Sequence, residues 1–166
     1  IALPLGVIRR AMRLMDLVSA ESIEPGLRAA DKHSVLAALG VLLARAMPGA
    51  KAEDVTRVLE EREALASTGV GDEVAIPHGR MAGIDRVVAA LAFSTTGVEF
   101  DAIDRRPVRI FVAIIAPEKD TTGHLKALAR FSRLLRDSRV RDRLLAERNA
   151  AAVLAILEHE ATINGC

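Results

Sequence analysis

Apolar positions recur along this chain in two distinct patterns. From Asp31 to Ala46, the residues Val35, Leu36, Leu39, Leu42, Leu43 and Ala46 follow the spacing of one helix face, with Asp31 placed as N-cap and Pro48-Gly49 as the stop. Glu53 to Ala66 repeats the helical period through Val55, Val58, Leu59, Arg62 and Leu65, so that Arg62 takes a slot where an apolar residue is due. Val87 to Ser94 and Val108 to Ala116 are instead almost continuously apolar, as in strands covered on both faces. They are separated by Thr95-Thr96-Gly97 and Asp104-Arg105-Arg106-Pro107. Shorter strands are expected over Val74 to Ile76 and Val98 to Phe100, with a loop at Ser67 to Gly71. The chain turns helical again at about Thr122 to Asp137, Ser138 to Glu147 and Asn149 to Glu160, with Ser138 and Asn149 as caps. A short segment around Met12 to Ser19 precedes all of these. Helices, strands and helices in that order predict an α/β or α+β layered domain.

Composition narrows this picture. The 166 residues suit one domain, and the apolar 51% includes only 2% aromatics with no Trp or Tyr, so aliphatic packing must carry the core. Lys plus Arg (23) nearly balances Asp plus Glu (22), which leaves no broad electrostatic footprint for nucleic acid or an anionic membrane. The apolar runs are far shorter than the ~20 residues that cross a bilayer, so no membrane insertion is expected. The single Cys166 suits a reducing compartment, and a cytoplasmic location is the expectation. Residues 1–11 read as an N-terminal extension, apolar over Ile1 to Ile8 but without the basic segment and cleavage pattern of a signal peptide. Residues 161–166 read as a C-terminal tail.

Candidate chemistry concentrates at Ala75-Ile76-Pro77-His78-Gly79-Arg80. A histidine just past a short strand, after a proline of fixed φ and before a glycine with no side chain, is displayed at a sheet edge with little freedom. Neutral imidazole is a nucleophile near neutral pH, with an unperturbed pKa of ~6.5, and forms covalent intermediates. The alternative is an ordinary loop histidine. His124 heads the apolar face Leu128, Phe131, Leu135 and falls in the first turn of its helix, where an anion is welcome and a charged imidazole is not. It either supports His78 and a phosphoryl group or is a core histidine bonded to a backbone carbonyl. Arg62, on an inward stripe, needs a phosphate, a buried carboxylate or a path to solvent. Arg80 is a further cation beside His78, or a plain surface arginine. His33 and His159 have no ligand-spaced neighbours, so neither a metal nor any other cofactor is expected. Gly69-Val70-Gly71 lacks the rest of a nucleotide-binding fingerprint and reads as loop. Glu60, Glu61 and Glu63 read as the solvated side of their helix.

The run from Arg62-Glu63 through Ser67-Thr68-Gly69-Val70-Gly71 to Ala75-Ile76-Pro77-His78-Gly79-Arg80 resembles the active-site signature of the enzyme IIA domain of the mannitol/fructose type of the bacterial phosphotransferase system. Ala116-Pro117-Glu118, Gly123-His124-Leu125 and the helix over Leu128 to Leu135 resemble the second half of that site, and the likeness extends over residues 12–160. The resemblance implies a mixed β-sheet flanked by helices and a phosphotransferase-type carrier. It implies a transient phosphohistidine at His78, loaded by a histidine-containing phosphocarrier protein. It makes His124 the supporting histidine and Arg62 the residue that steadies the phosphoryl group, and it adds Arg80, Ser67 and Thr68 as binding residues. One departure is Glu73, where relatives often carry glycine; with Asp72 it places two acidic residues in the signature, which either slow phosphorylation by like-charge repulsion or simply point outward. With no fused permease or IIB unit in the sequence, the resemblance leans towards the nitrogen-regulatory branch, whose phosphorylation state is read by partner proteins. The alternatives are a sugar-specific IIA component that passes phosphate to a IIB unit, and a protein-binding module that keeps the fold without transferring phosphate.

Overall fold

The computed structural model describes residues 12–164. A mixed six-stranded sheet is built from β1 (Ile23–Glu24), β2 (Gly69–Gly71), β3 (Val74–Ala75), β4 (His78–Met81), β5 (Val88–Val98) and β6 (Val108–Pro117), in the order β1-β5-β6-β3-β2 with β4 also pairing β6. The long central pair β5 and β6 is antiparallel, whereas β3 and β4 both run parallel to β6, against Ile110–Phe111 and then Ile114–Pro117. They are one strand interrupted at Ile76-Pro77, because proline has no N–H for the ladder. Pro77 still accepts the Ile114 N–H through its carbonyl at 2.9 Å.

Both faces of this sheet are covered, which explains the unbroken apolar runs. Ala89, Leu91 and Phe93 of β5, with Ile110, Val112, Ile114 and Ala116 of β6, pack under α3 (Thr121–Leu134), α4 (Ser138–Ala146) and α5 (Ala150–Asn164). The intervening Val88, Ala90 and Ala92, with Phe111, Ala113 and Ile115, pack under α1 (Lys32–Arg45) and α2 (Ala52–Leu65). Strict alternation over two buried faces puts an apolar residue at every position. Among the described residues no helix is long and apolar enough to cross a membrane.

The expected helices all form, and Asp31 caps α1 by accepting the Ser34 N–H at 2.8 Å. At α4 the cap is Asp137, which accepts the Arg139 N–H at 2.9 Å, and not Ser138. The Asp137 carboxylate also answers the positive end of the helix dipole. Asn149 accepts the Ala152 N–H at the start of α5, as expected. That helix runs four residues into the predicted tail, with Ala161 buried. Val98 to Phe100 is not a separate strand. The segment Thr95-Thr96-Gly97 is absorbed into β5 as a register shift between Phe93 and Val98, with Gly97 at φ 83°. The N-terminal extension lies outside the described residues.

Candidate functional site

Three short segments converge where β4 leaves the break at Pro77. The last turn of α2 brings Arg62, the first residue of β4 is His78, and the first turn of α3 brings His124. Gly79 lets β4 lie against α2: a Cβ there would come 2.4 Å from Val58 Cγ1. Only a residue without a side chain permits that approach, so the glycine after the histidine sets the distance between strand and helix.

His78 is half-buried and held at both ring nitrogens. Its Nδ1 lies 2.8 Å from the Ile76 carbonyl oxygen, an acceptor, so Nδ1 carries the proton. Nε2 then keeps its lone pair and accepts the Arg62 Nε–H at 3.3 Å. Arg62 is fixed in turn through Nη1, which donates to the Ala66 carbonyl at 2.9 Å. The His124 ring meets that of His78 edge-on, with centroids 5.2 Å apart and planes at 61°. Asp120 caps α3 through the Gly123 N–H at 2.9 Å, and His124 Nε2 is buried without a hydrogen-bond partner. Arg80 donates from Nη1 to Thr121 Oγ1 at 2.9 Å and to the Glu118 carbonyl at 3.4 Å, against the head of the same helix.

Burial pushes the His78 imidazole below its ordinary range; the Arg62 charge pushes the same way, while the Ile76 carbonyl and Glu63 oppose it. His124 is lowered as well, first by burial and then by His78, Arg80 and Arg62. Both rings are therefore neutral at pH 7. A neutral nucleophile faces a cation and an unpartnered ring nitrogen of a second neutral histidine, an arrangement that receives an electrophile carrying anionic oxygens.

The hydroxyls of Ser67 and Thr68 are both engaged within the protein. Ser67 Oγ donates to the Phe100 carbonyl at 2.8 Å and accepts the Gly69 N–H at 3.1 Å, while Thr68 Oγ1 donates to Glu63 in a short bond. Glu63 is thus not on the solvated side of α2: it is 7% exposed and also accepts the Thr68 N–H and the Lys32 ammonium. The ladder Val55, Leu59, Glu63, each four residues on from the last, places it on the buried stripe, whereas Leu65 is 82% exposed. That ladder is the signal by which the sequence marks Glu63 as inward-facing. Gly69-Val70-Gly71 pairs as β2. Glu73 is turned to Arg106 and Arg109, 3.4 and 3.8 Å away, at the opposite end of the parallel edge from His78. His33 stands exposed on α1, 2.6 Å from Glu60, and His159 is exposed on α5.

A nitrogen regulatory protein of Bradyrhizobium diazoefficiens is 37% identical over 146 residues, covering 88% of this chain and 95% of its own length. The crystal structure of the nitrogen regulatory protein IIA-Ntr from Neisseria meningitidis superposes with a TM-score of 0.80 at 32% identity, covering 86% of this chain and 97% of that one. Enzyme IIA for mannitol from Escherichia coli, in its complex with phosphorylated IIB, shares the fold with a TM-score of 0.71 at 23% identity over 86% of this chain and 97% of that one. The model of the phosphoenolpyruvate-dependent sugar phosphotransferase system EIIA 2 family matches residues 16–160, and with that span the chain belongs to this family.

Proposed function

We propose that this protein is a phosphoryl carrier that takes a phosphoryl group onto His78 Nε2 from a histidine-containing phosphocarrier protein and works in nitrogen regulation. The observation that carries the role is the pair of contacts on one ring: Nδ1 bonded to the Ile76 carbonyl and Nε2 facing the Arg62 guanidinium. The Nε2 lone pair attacks phosphorus and forms an N–P bond as the N–P bond to the donor's histidine breaks. The donor imidazole leaves with that electron pair and takes up a proton. As Nε2 gives up its lone pair, positive charge grows on the Nδ1–H side, where the Ile76 carbonyl stabilises it. As phosphorus approaches, the Arg62 Nε–H passes from the Nε2 lone pair to a phosphoryl oxygen; a neutral His124 donates to the oxygens as well, and Arg80 adds positive potential at their edge. Ser67 and Thr68 contribute by shaping the connection from α2 into β2.

Nitrogen regulation is supported by the relatives at 37% and 32% identity, both nitrogen regulatory proteins. The test is incubation with phosphoenolpyruvate and the general phosphotransferase components, followed by intact mass. One acid-labile phosphoryl group is expected, and none on His78→Ala. Unchanged labelling of that variant removes His78 from the mechanism. Onward transfer to a fructose IIB unit at a rate matching the loading step would instead assign the protein to sugar transport.

A further inference from the structure

The ring nitrogen that attacks is decided by the proton on its neighbour, and that proton is held by a carbonyl whose own position needs a cause. Ile76 sits in the break between β3 and β4, outside the regular ladder. Its N–H donates to the Thr68 carbonyl at 3.0 Å. The Thr68 residue is clamped at its other end, where its N–H lies 3.1 and 3.0 Å from the two Glu63 carboxylate oxygens and its Oγ1 also donates to Glu63. Glu63 is held by Lys32, whose Nζ is 3.0 Å from it, 3.1 Å from Asp101 and 4.8 Å from the Phe100 ring centre. Lys32, Glu63, Thr68, Ile76 and His78 are therefore linked residue to residue by hydrogen bonds, joined through the backbone of Thr68 and Ile76, from the surface to Nδ1.

We infer that Glu63 is a positioning residue for phosphoryl transfer: through Thr68 it fixes the Ile76 carbonyl that holds the proton on His78 Nδ1 and so keeps Nε2 unprotonated, with a lone pair for the attack. This rests on His78 being the acceptor. Chemistry favours a carboxylate for the task. It receives three donors, the Thr68 N–H, the Thr68 hydroxyl and the Lys32 ammonium, and a carboxylate has about four acceptor sites and no donor of its own. An amide of the same shape brings one acceptor oxygen and an NH2 that must face one of those donors. Glu63 also directly follows Arg62, so one turn of α2 sets both sides of the imidazole.

The test is Glu63→Gln, read first without any phosphate. Two-bond proton–nitrogen spectra of the histidine rings at pH 7.5 are expected to show His78 of the parent protein with Nδ1 protonated. In Glu63→Gln a substantial fraction of the other tautomer is expected. In the phosphoenolpyruvate assay the maximal loading rate is expected to fall on the order of tenfold to a hundredfold, as for a misplaced reacting group. The donor concentration for half-saturation and the content of folded protein stay near those of the parent. Thr68→Val removes only the hydroxyl link and is expected to shift the tautomers the same way with a smaller loss of rate, so it carries the test if Glu63→Gln does not fold. Parent-like tautomers and loading rate in whichever variant folds would overturn the inference. Failure of the parent protein to be phosphorylated would instead refute the carrier role, and the ring spectra would still decide whether Glu63 sets the tautomer.

Discussion

Arg62 reaches His78 with Nε and its own helix end with Nη1, a use of two edges of a planar guanidinium that an ammonium does not reproduce. Arg62→Lys is therefore expected to slow loading by about a hundredfold while leaving the melting temperature nearly unchanged, the scale of losing one oriented donor to a developing oxyanion. His124→Ala removes the buried Nε2 that has no partner in the unphosphorylated protein. It is expected to slow transfer by a similar factor with the fold retained, checked by rate at equal folded fraction. The two lowered histidines also give a pH signature. With folded-state pKa values below the ordinary ~6.5, both rings stay neutral as the pH drops through that value, so the loading rate is expected to hold there and fall only at lower pH. The unfolded chain binds protons first in that window. Stability is therefore full above the unfolded pKa, and urea midpoints are expected to decline as the pH falls from it towards the folded values. In His78→Ala that decline is expected to be shallower.

The segment from α2 into β4 shows how elements create the site. Gly79→Ala would drive a methyl into Val58 and is expected to cost about 1–3 kcal/mol, seen as a lower urea midpoint, with loading slowed because β4 must shift from α2. Elements whose burial follows a regular period were legible in the sequence: α1 and α2 by their stripes, β5 and β6 by their unbroken apolar runs. Of the strands of two to four residues only β3, within the expected Val74 to Ile76, was legible. β1 and β2 are too short to show a period, and the pattern of β4, His78-Gly79-Arg80-Met81, is set by the site and not by packing. His78, His124 and Arg62 each stood out by breaking a local rule, a histidine between proline and glycine, a histidine heading an apolar face, an arginine among aliphatics, but that they are neighbours was legible through the family resemblance. Glu63 was misjudged because its charge outweighed its phase. The chain of bonds from Lys32 to the imidazole was out of reach, since its middle links are backbone groups that carry no sequence signal.

Over the whole molecule, the two functions of the parallel edge are separated by length. Glu73 precedes the strand that pairs Ile110, whereas His78 pairs Ile114, about 13 Å along at 3.3 Å per residue. The acidic pair at this turn is thus remote from the phosphoryl site, with Glu73 facing Arg106 and Arg109. Both Asp72 and Glu73 have positive φ, 54° and 65°, a conformation that suits glycine. Glu73→Gly relieves that strain, about 1 kcal/mol, and gives up two partly exposed ion pairs of similar small worth. It is expected to leave both the melting temperature and the loading rate within experimental scatter; a large rise in rate would show that Glu73 repels the incoming phosphate. Phosphorylation itself acts at this scale. The formal charge is +1, and on the proposed function a group of about −1.5 to −2 on the half-buried His78 would reverse its sign at one place, a difference for a partner protein to read.

The central assignment, a phosphoryl group on one nitrogen of one ring, is tested most directly by nitrogen-15 spectra of the loaded protein. A phosphorus coupling on Nε2 of His78, with Nδ1 still protonated, is the predicted result; a coupling on Nδ1, on His124, or on no histidine at all would contradict it.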